Sequence, residues 1–159
     1  MAEISTVEEK LAEVTGLAQA SQGTIDKVAP MIEDANVSET LERMRREAED
    51  TEERCTSAIE EREGKKTAIL DKARETKQEA TEMMKTYLGD DSDGLDGLEF
   101  MTMAEAGEVG HWAILGELSE RAGESGLREL ADWATPIQER HLAEVRQGSL
   151  ALAGQVDPG

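Results

Sequence analysis

The feature that most constrains this chain is a spacing. In five separate stretches, apolar residues return every three or four positions. Val7, Leu11, Val14, Ala18, Ile25, Val28 and Ile32 form the first stripe, and Leu41, Met44, Ala48, Thr51, Cys55, Ala58 and Ile59 the second. The third runs Ile69, Ala73, Thr76, Ala80, Met83 or Met84, and Tyr87; the fourth runs Met101, Ala104, Glu108, His111, Leu115, Leu118 and Ala122. Leu127, Leu130, Ala134, Ile137 with Gln138, His141 and Val145 make the fifth. A period near 3.6 gathers such residues on one face of an α-helix. No run of β-branched residues alternates with polar ones, so no strand is expected and the fold class is all-α.

Local signals punctuate the stripes. Ser5 or Thr6 can cap the first helix, with Glu8 and Glu9 in its first turn, and Pro30 should end it. Ser38 is the expected cap of the second, and Gly64 breaks the chain before the third. Residues 89–97 read as an acidic loop, and Gly123-Glu124-Ser125-Gly126 as a short turn. Residues 154–159 should fray. Short connections favour antiparallel neighbours, so the economical architecture is an up-and-down bundle in one domain spanning residues 1–159.

High charge with low hydrophobicity also marks disorder. The chain has 159 residues, 36 acidic against 17 basic, a formal net charge of −19 and 38% hydrophobic residues. The stripes decide for a folded bundle whose acids coat the outside. That charge repels nucleic acid and anionic membrane surfaces, so neither is an expected partner. The single cysteine excludes an intramolecular disulfide or a cysteine-rich zinc site. No stretch approaches the roughly 20 apolar residues that span a bilayer, and no basic, apolar leader opens the sequence. A cytoplasmic location is expected.

Only two histidines occur, His111 and His141. Both are read on the apolar stripe of their helix. Glu108 precedes His111 by three residues and Gln138 precedes His141 by three, each pair sharing a face. On a hairpin centred near Glu124, His111 faces Ile137 and Gln138, while Glu108 faces Arg140 and His141. Glu105 lies one turn further along. Carboxylate and imidazole projecting together into a bundle suit iron, manganese or zinc. A buried, unpaired Glu108 would in any case need a partner or a proton.

The run Ala104-Glu105-Ala106-Gly107-Glu108-Val109-Gly110-His111-Trp112, with Pro136-Ile137-Gln138-Glu139-Arg140-His141-Leu142, resembles the second helix pair of a ferritin-like domain. It is most similar to small bacterial ferritin-like stress proteins of the YciF type. Glu47-Ala48-Glu49-Asp50-Thr51-Glu52 resembles their second-helix run, with Glu47 where they carry His. The resemblance implies a ferritin-like up-and-down four-helix bundle with an additional connecting helix, a stress-response role and a carboxylate-bridged iron or manganese site. His111 and His141 would then supply imidazoles and Glu108 a carboxylate, with Gln138 beside them and Glu105 or Glu52 as second carboxylate. A full ferritin-type site takes Glu from two helices and Glu-x-x-His from the other two. Here Gln138 stands where the pattern wants Glu, and the first helix has no central inward Glu. The alternative is a non-enzymatic structural or interaction bundle with a vestigial, metal-free site. A second copy of the chain is a candidate partner in either case.

Other chemistries find no support. The acidic loop fails the EF-hand pattern at its first and twelfth positions, Gly89 and Phe100. Cys55 sits on an apolar seam with no histidine on its helix, and reads as core. No phosphate loop, nucleophile elbow or His-Glu-x-x-His pair occurs.

Overall fold

The computed structural model describes residues 2–159, which form five α-helices and no strand among the described residues. They are α1 (Thr6–Val28), α2 (Ala35–Glu60), α3 (Lys66–Tyr87), α4 (Gly94–Arg121) and α5 (Ser125–Ala153). A 3-10 turn, Ala29–Met31, follows α1 at Pro30, where the missing amide stops an α-helix. Among the described residues no helix is long and apolar enough to cross a membrane.

Caps set the boundaries. Ser5 and Glu8 close a capping box on α1, as Asp93 and Asp96 do on α4. The second box corrects the expected loop: Gly94 to Gly97 already belong to α4. The cap of α2 is Asp34 rather than Ser38, its carboxylate accepting from the amides of Asn36 and Val37 at 2.9 and 3.1 Å. Gly64 and Gly123 turn the chain between α2 and α3 and between α4 and α5, with φ of 76° and 70°. Other residues pay for that region and glycine does not. Pro136 sits inside α5 on its exposed face, so the Asp132 carbonyl that loses its donor belongs to an exposed residue.

Pairings between helices give the chain directions. Glu8 meets Arg62 and Gln22 meets Glu52, so α1 and α2 are antiparallel. Ser21 meets Glu105, and Gly97 approaches Val28, so α1 and α4 are antiparallel too. Glu47 meets Arg140 and Arg43 meets Glu144, which opposes α2 to α5. Each helix reverses its predecessor. Because α3 carries the chain back, α2 and α4 nevertheless run the same way. α3 lies on the outside, chiefly along α1. Gly16 permits that approach: a Cβ there would stand 2.4 Å from the Ala73 carbonyl oxygen.

The core is divided. One apolar cluster gathers Leu11, Cys55, Ile59, Ile69, Trp112, Leu115 and Leu127. The other gathers Ile25, Leu41, Met44, Leu98, Met101 and Val145. Burying each such large side chain contributes about 1.5–3 kcal/mol. Between the clusters, at mid-height, the inward positions are Ser21 on α1, Ala48 and Thr51 on α2, Glu105 and Glu108 on α4, and Gln138 and His141 on α5. A polar layer thus crosses the bundle where sequence alone suggested a site.

Candidate functional site

Glu105 is the centre of this layer. It is 2% exposed. The Ser21 hydroxyl donates to its Oε1 at 3.3 Å, while Oε2 has no hydrogen-bond partner. Nδ1 of His141 lies 3.9 Å from that oxygen, beyond hydrogen-bond length. The other ring nitrogen of His141, Nε2, stands 3.3 Å from Glu47 Oε1. Glu47 in turn accepts from Arg43 at 3.0 Å and from Arg140. Arg43 and Arg140 also share Glu144, the latter at 3.1 Å. One file of polar groups therefore leads from Ser21 on α1 through Glu105 and His141 to Glu47 and the arginines at the surface, touching four helices.

Burial sets the protonation along the file. It pushes Glu105 up to about 7, against the opposing pull of the Ser21 hydrogen bond. Glu108 is raised well above the ordinary carboxylate range by burial and then by the neighbouring Glu105. Burial lowers His141 against the pull of Glu47. Glu47 is different: burial resists its charge, but Arg140 and His141 outweigh that and keep it ionised. The inner end of the file is thus inclined to be neutral and the outer end charged.

The expected residues do not all meet. Glu105, Glu108, Gln138 and His141 lie in the layer. His111 does not. Its side chain is 39% exposed, Nδ1 lies 2.8 Å from the Gly107 carbonyl oxygen, and Nε2 stands 3.6 Å from Glu13. The reason is a one-residue rotation of the inward face. α4 turns Met101, Glu105, Glu108, Trp112 and Leu115 inward, so the indole takes the place read for the imidazole. Burying the larger apolar surface is favoured. Glu52 is also elsewhere, accepting from Gln19 and Gln22 at 3.0 and 2.8 Å on the α1–α2 seam. The α4 carboxylate nearest His141 is Glu105, one turn from the Glu108 expected, because α5 begins at Ser125 directly after a tight turn.

Two participants were missed as site residues, Glu47 and Ser21. Glu47 left a signal: it stands where the run it was compared with carries a histidine. It was hidden inside a charge run that reads as solvated surface. Ser21 left none.

These residues do not fit a carboxylate-bridged di-metal centre. α1 and α2 turn Ala18, Ser21, Ala48 and Thr51 inward at this height, and Glu47 reaches the layer only from its edge, where Arg43 and Arg140 hold it, so the inward carboxylates due from that half are missing. Among the described residues, no three or more His, Cys, Asp or Glu side chains are grouped to hold a metal ion. No family model and no curated protein matches this chain.

Proposed function

We propose that this protein is a ferritin-like four-helix bundle, α1, α2, α4 and α5, with α3 as its crossover, that works by binding rather than by metal chemistry. Chain direction supports the ferritin-like reading. Such bundles carry one long crossover between parallel second and third core helices, and α2 and α4 are parallel here with α3 between them. The observation that carries the functional part is His141. Its two ring nitrogens face Glu47 and Glu105, side chains of the protein itself, where a metalloprotein would direct one toward an ion. On this reading the central layer is a polar lock, with Glu47 and His141 tying α2 to α5 and Ser21 and Glu105 tying α1 to α4.

Anaerobic titration with ferrous and manganous ion tests the proposal. The wild type should show no stoichiometric binding, and His141→Ala should behave the same way. Tight binding of one ion, lost in Glu105→Gln and in His141→Ala, would overturn it and assign Glu105, Glu108 and His141 as ligands.

A further inference from the structure

We propose that the cavity between α1, α3 and α4 binds a small amphiphilic monocation, an ammonium group on an apolar body of about six to eight carbons. The cavity measures about 220 Å³. Leu17, Ala80, Phe100 and the methionines 83, 101 and 103 supply its apolar wall. Met83 and Met103 are 63% and 50% exposed, which places the mouth between α3 and α4. An apolar cavity of about 150 Å³ admits benzene, so this one takes a slightly larger body. Thioether side chains adapt to such guests.

The charge of the guest follows from the floor. Glu105 and Glu108 both line the cavity; Glu108 is 4% exposed and has no hydrogen-bond or ion-pair partner, and the Oε2 of Glu105, on its His141 side, has no hydrogen-bond partner either. No lysine or arginine lines it; His111 at the edge is the one basic side chain. A buried acid pair lacking a cation leaves bonding capacity unused. An ammonium brings three donors, enough for both carboxyls, and its charge offsets that of a carboxyl which burial alone holds neutral, so it ionises when the cation enters. A neutral guest would fill the wall and leave the acids unpaired. An anionic guest would add a third acid in a chain whose formal net charge is already −19.

The inference requires Glu105 and Glu108 to be free of metal, so the titrations include EDTA, and failure of the metal-free reading is seen separately in the ion titrations above. Calorimetry with phenethylamine, phenethyl alcohol and phenylacetate compares three guests of one shape. The amine should bind at least about ten-fold more tightly than the alcohol, and phenylacetate should bind least. Glu105→Gln and Glu108→Gln, isosteric with the neutral acid, should each reduce amine affinity about ten-fold and leave the alcohol unchanged. Ala80→Phe, filling the cavity from α3, should abolish binding of amine and alcohol alike. Equal affinity for amine and alcohol would overturn the proposal. So would an absence of amine binding, or amine affinity indifferent to both Gln variants with helical circular dichroism intact.

Discussion

Oε2 of Glu105 on α4 lies 3.9 Å from Nδ1 of His141 on α5, and no hydrogen-bond partner reaches that oxygen. Both side chains are almost fully buried, in the polar layer between two apolar clusters. An acid and a base therefore face each other where burial disfavours the charge of each. Charging either one has a cost that the surrounding helices must bear.

Replacement of Glu105 should reveal that cost. Its pKa is raised from an ordinary 4.5 to about 7 in the fold, chiefly by burial, with Ser21, Glu108 and His141 around it. An acid raised on folding contributes stability that is full below its unfolded pKa and lost as pH rises through its folded one. The loss is on the order of 3 kcal/mol. His141, lowered on folding, acts oppositely and costs stability as pH falls. Glu105→Gln should match the wild type near about pH 4.5 and exceed it near about pH 8 by up to that amount. Urea denaturation at both values is the measurement; parallel curves for the two proteins would contradict it.

At the far end of the bundle a different carboxyl carries charge into burial. Glu8 meets Arg62 at 2.8 Å and Lys65 at 3.2 Å. Burial resists ionisation, but the Ser5 amide, Arg62 and Lys65 outweigh it and hold the carboxyl at about 2. A depressed acid contributes stability above its unfolded pKa and loses it as pH falls through its folded one. Arg62 also holds Glu124 at 2.9 Å, joining the start of α1 to the α4–α5 turn. Arg62→Ala should cost about 2–4 kcal/mol at neutral pH. Arg74→Ala, removing an exposed pair with Asp71 at 2.8 Å, should cost under about 0.5 kcal/mol. Equal urea midpoints for the two variants would show that the Glu8 cluster does not tie the ends together.

Two glycines of α1 should respond with opposite signs. At Gly16 a Cβ would stand 2.4 Å from the Ala73 carbonyl oxygen and 2.8 Å from Thr76 Cβ, so Gly16→Ala should push α3 away and cost about 1–3 kcal/mol. At Gly23 a Cβ meets nothing within 4 Å. Gly23→Ala should stabilise by about 0.5–1 kcal/mol through helix propensity alone. Thermal melts of both variants read the signs directly.

Cys55 should be silent in the native protein. It is fully buried, and burial pushes its thiol up to about 12, against a weaker opposing hydrogen bond with Thr15. A thiol in that state offers almost no thiolate near neutral pH. Ellman's reagent should label it only as fast as the chain unfolds, and fully in denaturant. Fast labelling under native conditions would mean that the cluster around Trp112 opens locally.

The helices were legible because their causes are local. Leu41, Met44, Ala48, Thr51, Cys55, Ala58 and Ile59 form one stripe, and all but the half-buried Ala58 are the buried residues of α2 after Val37. Start positions were less legible where two caps compete. Asp34 and Ser38 stand one turn apart, and the carboxylate of Asp34 reaches two amides, so the helix begins there. On α4 the uncertainty was rotational. Ala104, Glu108 and His111 trace one plausible face, Glu105, Glu108 and Trp112 its neighbour, and adjacent positions differ by about 100°. The indole settled it, and His111 turned toward Glu13.

The sequence by itself determined that this chain is helical and, to within a turn, where its five helices lie; of Glu108, His111 and His141, all read as inward, Glu108 and His141 are buried and His111 is not. Helical period and turn chemistry act over a few residues and need no partner. Only the tertiary structure decided that Glu105 faces His141, and that Glu47, 94 residues away in the chain, takes the other side of the ring. It also laid α3 along α1, so that α2 and α4 run the same way and a cavity opens above the two acids. Those outcomes depend on turn lengths, on which side chain wins the core, and on how closely Gly16 lets two helices meet. They belong to packing between distant segments, which no local pattern encodes.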